Sequence, residues 1–198
     1  PAVVLMLGLS SGDMVRFPVD SLSSQLSLTY LKRLDVAFEK QDFQVASLLV
    51  ERLSQVDPKL IDPTFALADA MASANQVADA KALMERLISQ DRDASRAHFW
   101  IAKQCLMQDA SGVKSVEEAR QHLIAAIRAD RSNWEAVYAY SLVLMSQGQY
   151  EAAATELRRN TFADPIAELE VARLQQRLGL TIDAAMRGKR LAQRLTSP

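Results

Sequence analysis

The sequence has very little of the chemistry on which metal sites, disulfides and many active sites depend. Of its 198 residues, one is cysteine and two are histidine. Cys105 cannot form a disulfide within the chain, and its place in an apolar helical stretch predicts a small buried side chain. His98 and His122 do not lie four residues from another histidine, the spacing typical of a helical zinc site. We therefore expect satisfied or exposed histidines, no metal and no cofactor.

Charge of one sign and catalytic motifs are also missing. The chain has 23 basic and 24 acidic side chains, a formal net charge of -1. Because no excess of positive charge favours phosphates, we expect no nucleic-acid partner. The sequence has no glycine-rich phosphate loop, no Gly-x-Ser-x-Gly turn and no Cys-x-x-Cys pair. These absences predict that the chain is not an enzyme.

Long hydrophobic runs are absent as well. The apolar start, residues 2–7, is far shorter than the roughly 20 residues that span a bilayer. The sequence begins with Pro1 instead of methionine, so this start is either the end of a membrane helix lying upstream or an apolar arm that packs on the domain. Gly8, Gly12, Pro18 and the serines of 21–27 predict that residues 1–27 are irregular.

From Leu28 onward the sequence predicts helices. Only six glycines and six prolines occur, and apolar residues recur at three- and four-residue spacing in segments too long for strands. The segments come in pairs separated by short polar turns. The predicted helices are 28–40, 43–55, 63–74, 77–89, 94–108, 115–129, 133–147, 150–160, 165–178 and 181–195.

A repeat emerges when the second helices of the pairs are superposed. Small residues recur at Ala46, Ala80, Ala119 and Ala153, at intervals of 34, 39 and 34 residues. The same intervals separate four acidic residues that lie eleven positions later, namely Asp57, Asp91, Asp130 and Asp164. The 39-residue interval is a 34-residue unit with five added residues, which we place in the polar stretch 108–115.

A helix–turn–helix period of 34 residues is typical of tetratricopeptide repeats. The turn Gln147–Ala153 and the pairs Asp57-Pro58 and Asp164-Pro165 resemble that family, although Arg92 and Arg131 replace the proline in the other units. The resemblance implies an all-α, right-handed superhelical solenoid of antiparallel helix pairs. Its domain would span 28–198, behind the arm 1–27, in units of about 28–61, 62–94, 95–133, 134–165 and 166–198 with a capping helix.

The resemblance also implies a binding site, because the first helices of this family line a concave groove for a partner segment. Trp100 and Tyr138 would be its anchors, unless they pack between helices as core. The residues at the groove positions are Leu31, Asp35, Phe38, Phe65, Asp69, Arg96, Phe99, Trp100, Lys103, Leu106, Tyr138, Leu142 and Met145.

A carboxylate clamp, as in chaperone-binding members, does not match the sequence. The clamp positions hold Leu31, Asp35, Ala66 and Trp100, and only Arg96 is suitably basic. The groove is apolar instead, so we expect the apolar segment 3–17 to fill or flank it. At the far end, the basic residues of helix 181–195 and the acidic Glu168 and Glu170 predict solvent-exposed faces, as in the terminal cap of a solenoid.

We therefore expect a scaffold that binds a protein or peptide partner in an apolar groove. The alternative is an extramembrane regulatory or sensor domain of a membrane-tethered parent, which would contact a membrane only through an upstream anchor. An enzyme built on a solenoid frame is the third and least favoured possibility. The identity of the partner, the oligomeric state and the compartment are not specified by the sequence.

Overall fold

The chain is all-helical over the residues that the structure describes. The computed structural model describes residues 19–108 and 112–196, so the expected arm before residue 19 lies outside the described residues, as does part of the five-residue insertion. No strand occurs in the described ranges, which confirms the predicted fold class. The helices are α1 (Val19–Glu39), α2 (Phe43–Val56), α3 (Asp62–Ser73), α4 (Val77–Ser89), α5 (Ala94–Gln108), α6 (Val113–Ala129), α7 (Trp134–Ser146), α8 (Tyr150–Arg159), α9 (Pro165–Arg177) and α10 (Thr181–Thr196).

The start of α1 differs from the prediction. We expected irregular chain up to residue 27, but the helix begins at Val19 and includes the serine-rich run. No glycine or proline interrupts 19–39, and an interior serine costs less than about 1 kcal/mol relative to alanine. Within this stretch Thr29 Oγ1 donates to the Gln25 carbonyl at 2.9 Å, so its hydroxyl is satisfied by the helix itself.

The chain divides into two compact units, one up to Leu83 and the other from Met84, with the boundary inside α4. In the first unit α1 packs against α2, and α3 contacts both. In the second unit α5 packs against α6, α7 against α8 and α9 against α10, while α7 also contacts α6 and α9. The predicted pairing of neighbouring helices is present in each unit.

The repeated alanines mark the places where helices approach closely. Ala46, Ala80, Ala119 and Ala153 are all completely buried. A larger side chain at such a position would force the helices apart, and overpacking a core typically costs about 1–3 kcal/mol. The repeat of alanine in the sequence therefore reflects the need for a small side chain where the helices of each pair pack closely.

The turn between paired helices also recurs, and glycine forms it in two of the four equivalent described turns. Gln41, Asn75, Gly148 and Gly179 occupy equivalent positions, and all four have positive φ, at 54°, 65°, 73° and 77°. In each turn the next residue donates its backbone N–H to a carbonyl five residues earlier, at 2.8–2.9 Å. This bond closes the helix end in a Schellman motif, which needs one left-handed residue but not glycine itself.

Three of the four repeated aspartates cap the junctions between pairs. Asp57 Oδ1 accepts from Lys59 N at 3.1 Å, and Asp130 Oδ1 accepts from Ser132 N at 2.8 Å. Asp164 is the N-cap of α9 and accepts from Ile166 N at 2.9 Å. In all three cases the carboxylate binds the backbone N–H two residues later, which fixes the turn into the next helix.

An arginine inside the protein joins the last two helix pairs. Arg187 of α10 is only 1% exposed, and its Nη1 donates to Glu168 Oε2 at 2.9 Å. Its Nη2 donates to the carbonyls of Leu157 and Asn160 at 2.6 and 2.8 Å, and its Nε donates to Gln175 Oε1 at 3.2 Å. One side chain thus connects the end of α8, α9 and α10.

This network corrects the prediction that Arg187 and Glu168 lie on solvent-exposed faces. The carbonyls at the end of α8 have no partner within the helix, and the arginine fork supplies their donors. Glu168 Oε1 accepts in addition from the backbone N–H of Phe162. A second arginine of α10, Arg194, donates to the carbonyls of Phe162 and Ala163 at 2.9 and 2.6 Å.

We predict that Arg187→Met lowers the free energy of unfolding by about 3–5 kcal/mol, because it leaves Glu168 buried without its counter-charge. Urea denaturation followed by circular dichroism measures the change. Arg190→Met is the matched control, since Arg190 lies on the same helix but is exposed, and it should change stability by less than about 0.5 kcal/mol. Equal losses for the two variants would show that the buried network does not stabilise the unit.

Candidate functional site

The expected groove residues of the first unit lie on α1 and α3. Asp35 and Asp69 are exposed, Leu31 and Phe38 are half-buried, and Phe65 is only 4% exposed. Of the expected groove residues in this unit, the two aspartates are the most exposed.

In the second unit the expected residues lie on α5 and α7. Arg96, Lys103 and Leu142 are exposed, and Trp100 is only 5% exposed. The remaining ones are half-buried, namely Phe99, Leu106, Tyr138 and Met145.

The aromatic residues therefore divide between core and surface. For Phe65 and Trp100 the structure shows the core packing that the sequence left open, so neither offers much area to a partner. Tyr138 is intermediate, because it packs partly against a core cluster around Val137 while the rest of its ring is exposed. Its ring meets Trp134 edge to face, with 6.3 Å between the ring centroids.

A cleft separates the beginnings of α5 and α7. Its volume is about 370 Å³, and Arg96, Phe99 and Glu135 line it. The buried Ser95 holds its floor: the hydroxyl donates to the Ala126 carbonyl at 2.8 Å and accepts from Asn133 Nδ2 at 2.9 Å. Since Asn133 Oδ1 also caps α7 by accepting from Ala136 N at 3.0 Å, the cleft is built on a fixed hydrogen-bond network.

The charges at the cleft are mostly negative. Asp93, Asp130 and Glu135 supply three carboxylates, against one guanidinium from Arg96. Arg96 Nη1 lies 3.8 Å from Asp93 Oδ2, so these two charges offset each other. Both the backbone N–H and the hydroxyl of Ser132 donate to Asp130 Oδ1, at 2.8 and 2.7 Å. The remaining excess of negative charge favours a basic group of a ligand.

None of the groove residues predicted from the sequence lies in the last helix pair. On α9, Ile166 is 65% exposed and Leu169 is 44% exposed, and both lie on the first helix of a pair. Glu135, which lines the cleft, and Met107, which is exposed on α5, were also missed. The available signal was the 31-residue interval between Gly148 and Gly179 in the last two turns, because it relates Ile166 to Glu135 and Leu169 to Tyr138.

Two family models described as tetratricopeptide repeat match the chain, one over residues 37–103 and the other over 108–165. These ranges together cover more than half of the sequence. The chain belongs to the tetratricopeptide repeat family. No curated protein matches the sequence.

Solved structures that resemble this tetratricopeptide repeat protein share its fold at low sequence identity. The pilF protein of Pseudomonas aeruginosa is 18% identical with a TM-score of 0.53, over 86% of this chain and 77% of that one. TTC0263 of Thermus thermophilus, a thermophilic TPR protein, is 15% identical with a TM-score of 0.52, over 84% and 90%. A MamA protein is 18% identical with a TM-score of 0.50, over 86% and 92%.

Proteins of this family act generally as scaffolds for protein–protein interaction, and this general role applies to the chain. Its more specific functional features have to come from its own residues. Among the described helices, none is long and apolar enough to cross a membrane. The sensor alternative stays a prediction.

The two histidines of the repeat protein contact each other. His98 Nδ1 on α5 and His122 Nδ1 on α6 are 3.0 Å apart, which requires one ring to donate and the other to accept. Burial and the nearby His122 lower the pKa of His98 below its usual value. Among the described residues, no group of three histidine, cysteine, aspartate or glutamate side chains is placed to hold a metal ion.

We predict that the free energy of unfolding decreases as the pH falls below about 6.5. The lowered pKa means that the unfolded chain binds a proton at His98 before the folded chain does, so acid favours unfolding until the lowered folded-state pKa is passed. Urea denaturation from pH 7.5 to 5 measures this loss, and in His98→Gln it should be smaller. An identical pH dependence in the variant would show that His98 does not cause the effect.

Proposed function

We propose that this chain is a scaffold that binds a segment of a partner protein along the first helices of its second unit. The binding surface would run across α5, α7 and α9, and we call it the α5/α7/α9 surface. The observation that carries the proposal is one repeat position at which each of the three helices has an accessible aromatic or aliphatic side chain, namely Phe99, Tyr138 and Leu169. Exposed apolar side chains at other positions of the same helices add to it, namely Met107, Leu142 and Ile166.

Exposed apolar side chains on the first helices of several pairs are energetically unfavourable unless a ligand covers them. Each would lose contact with water on binding, and burying a whole leucine or phenylalanine side chain yields about 1.5–3 kcal/mol. Isolated exposed apolar residues are normal on protein surfaces, but here Phe99, Tyr138 and Leu169 recur at one position of the repeat. The recurrence supports an extended ligand that passes several helices, as in other solenoid proteins.

The cleft between α5 and α7 adds a requirement for charge. Its carboxylates Asp130 and Glu135 are not paired with a basic side chain in the described ranges, whereas Asp93 is close to Arg96. We therefore propose that the bound segment is apolar and carries a lysine or arginine that enters this cleft. The expected anchoring role of Trp100 and the expected groove contact of Phe65 are not part of this proposal, because both side chains are buried.

Selection of peptides from a random displayed library, with the whole chain as bait, tests the proposal. We predict that selected peptides combine apolar residues with a lysine or arginine. They should bind the variant Phe99→Ala, Leu142→Ala at least about tenfold more weakly than the unchanged chain, because the pair removes contacts on two of the three helices.

The matched control is Ile182→Ala, Met186→Ala, which removes exposed apolar side chains from α10, outside the proposed surface. It should retain all binding, and circular dichroism should show equal helicity in the three proteins. Peptides that bind all three proteins equally well would contradict the proposal.

A further inference from the structure

The first helix pair has a large apolar cleft. It lies between α1 and α2 in the first unit, has a volume of about 680 Å³ and is floored by Ala37 and Leu49. Three large apolar residues around it are exposed to solvent: Val36 by 47%, Val45 by 45% and Leu48 by 54%. We call this feature the α1/α2 cleft.

The repeat shows that the three pairs that follow lack two of these apolar residues, although Met186 of the last pair is equivalent to Leu48. The positions equivalent to Val45 hold Asp79, Glu118 and Ala152. Those equivalent to Leu48 hold Ala82, Gln121 and Thr155. The fold therefore does not need large apolar side chains here, since three pairs form without them. The presence of both residues in the first pair therefore calls for a different explanation.

The third residue, Val36, indicates what kind of structure would cover the cleft. Its equivalent in α7 is Val143, which is buried, and α7 packs against α6, the second helix of the preceding pair. No preceding pair exists for α1 in the described part of the chain. The face of α1 that carries Val36 therefore corresponds to a face that, on α7, lies in a helix-packing interface, and a helix is the natural occupant.

The rim of the cleft is positively charged. Lys32, Arg33 and Lys40 line it, and none forms an ion pair with a carboxylate that the structure describes. The acidic residue of the lining, Asp42, accepts from Val45 N at 3.1 Å as the N-cap of α2. Basic side chains thus surround an apolar floor, which complements a helix with an apolar stripe flanked by acidic residues.

We propose that the α1/α2 cleft docks an acidic amphipathic helix of a partner protein. Val36, Val45 and Leu48 receive the apolar stripe of that helix, and Lys32 and Lys40 contact its flanking carboxylates. This second surface is independent of the α5/α7/α9 surface, because all of its residues belong to the first unit.

Two synthetic helical peptides with the same leucine stripe test the proposal, one flanked by glutamates and the other by lysines. Fluorescence anisotropy with the whole chain should show at least about tenfold tighter binding of the glutamate peptide at low salt, and less preference as salt screens the charges. The variant Lys32→Glu, Lys40→Glu should reverse the preference. Failure of both peptides to bind, or equal binding of the two, would overturn the proposal.

A variant that copies the second repeat tests the apolar contacts. Val45→Asp, Leu48→Ala installs the residues of Asp79 and Ala82, so the pair should still fold, and helicity by circular dichroism checks this. This variant should bind the glutamate peptide at least about tenfold more weakly than the unchanged chain. The matched control Val113→Asp, Ile182→Ala changes exposed apolar residues of the second unit and should leave binding unchanged. Equal affinities for the two variants would overturn the proposal.

Two other occupants are distinguishable with the same protein. If the apolar segment 3–17 of the chain fills the cleft, Leu5→Asp, Leu7→Asp in the whole chain should raise the affinity for the glutamate peptide, and this result would overturn the partner proposal. If a second copy of the chain fills the cleft, sedimentation should show a dimer that the variant Val45→Asp, Leu48→Ala converts to monomer. This result would also overturn the partner proposal.

Discussion

The buried guanidinium of Arg187 is the interaction on which the second unit's last two helix pairs depend. It is placed among a carboxylate, an amide oxygen and two backbone carbonyls, so four of its donors are satisfied away from water. Such a group stabilises only when every partner is present. The position of α9, and with it the exposure of Ile166 and Leu169, therefore rests on contacts made by α10.

The sequence allowed the architecture to be predicted because the repeat is imposed by the backbone. The alanine at each helix contact and the aspartate at each junction recur since each pair has the same geometry to satisfy. The burial of Arg187 could not be predicted from the repeat, because its partners lie up to 30 residues earlier in the chain. The serines predict irregular chain, but their small helix penalty is not enough to prevent α1 from starting at Val19.

The candidate site was predictable in its location but not in its residues. The period identified the first helices and placed Arg96, Phe99, Lys103 and Leu142 at accessible positions. It could not decide whether a large aromatic side chain turns toward solvent or toward a neighbouring helix, and Trp100 turned out to be buried. The α1/α2 cleft could not be predicted from the sequence, because the repeat does not specify how exposed each side chain is.

The most direct test of the proposed function is an NMR titration of the chain, labelled at leucine and isoleucine methyl groups, with the tightest peptide selected. We expect the methyl signals of Leu142, Ile166 and Leu169 to shift, while those of Ile182 and Leu195, exposed on α10, remain in place. Shifts confined to the α10 methyl groups would contradict binding across α5, α7 and α9.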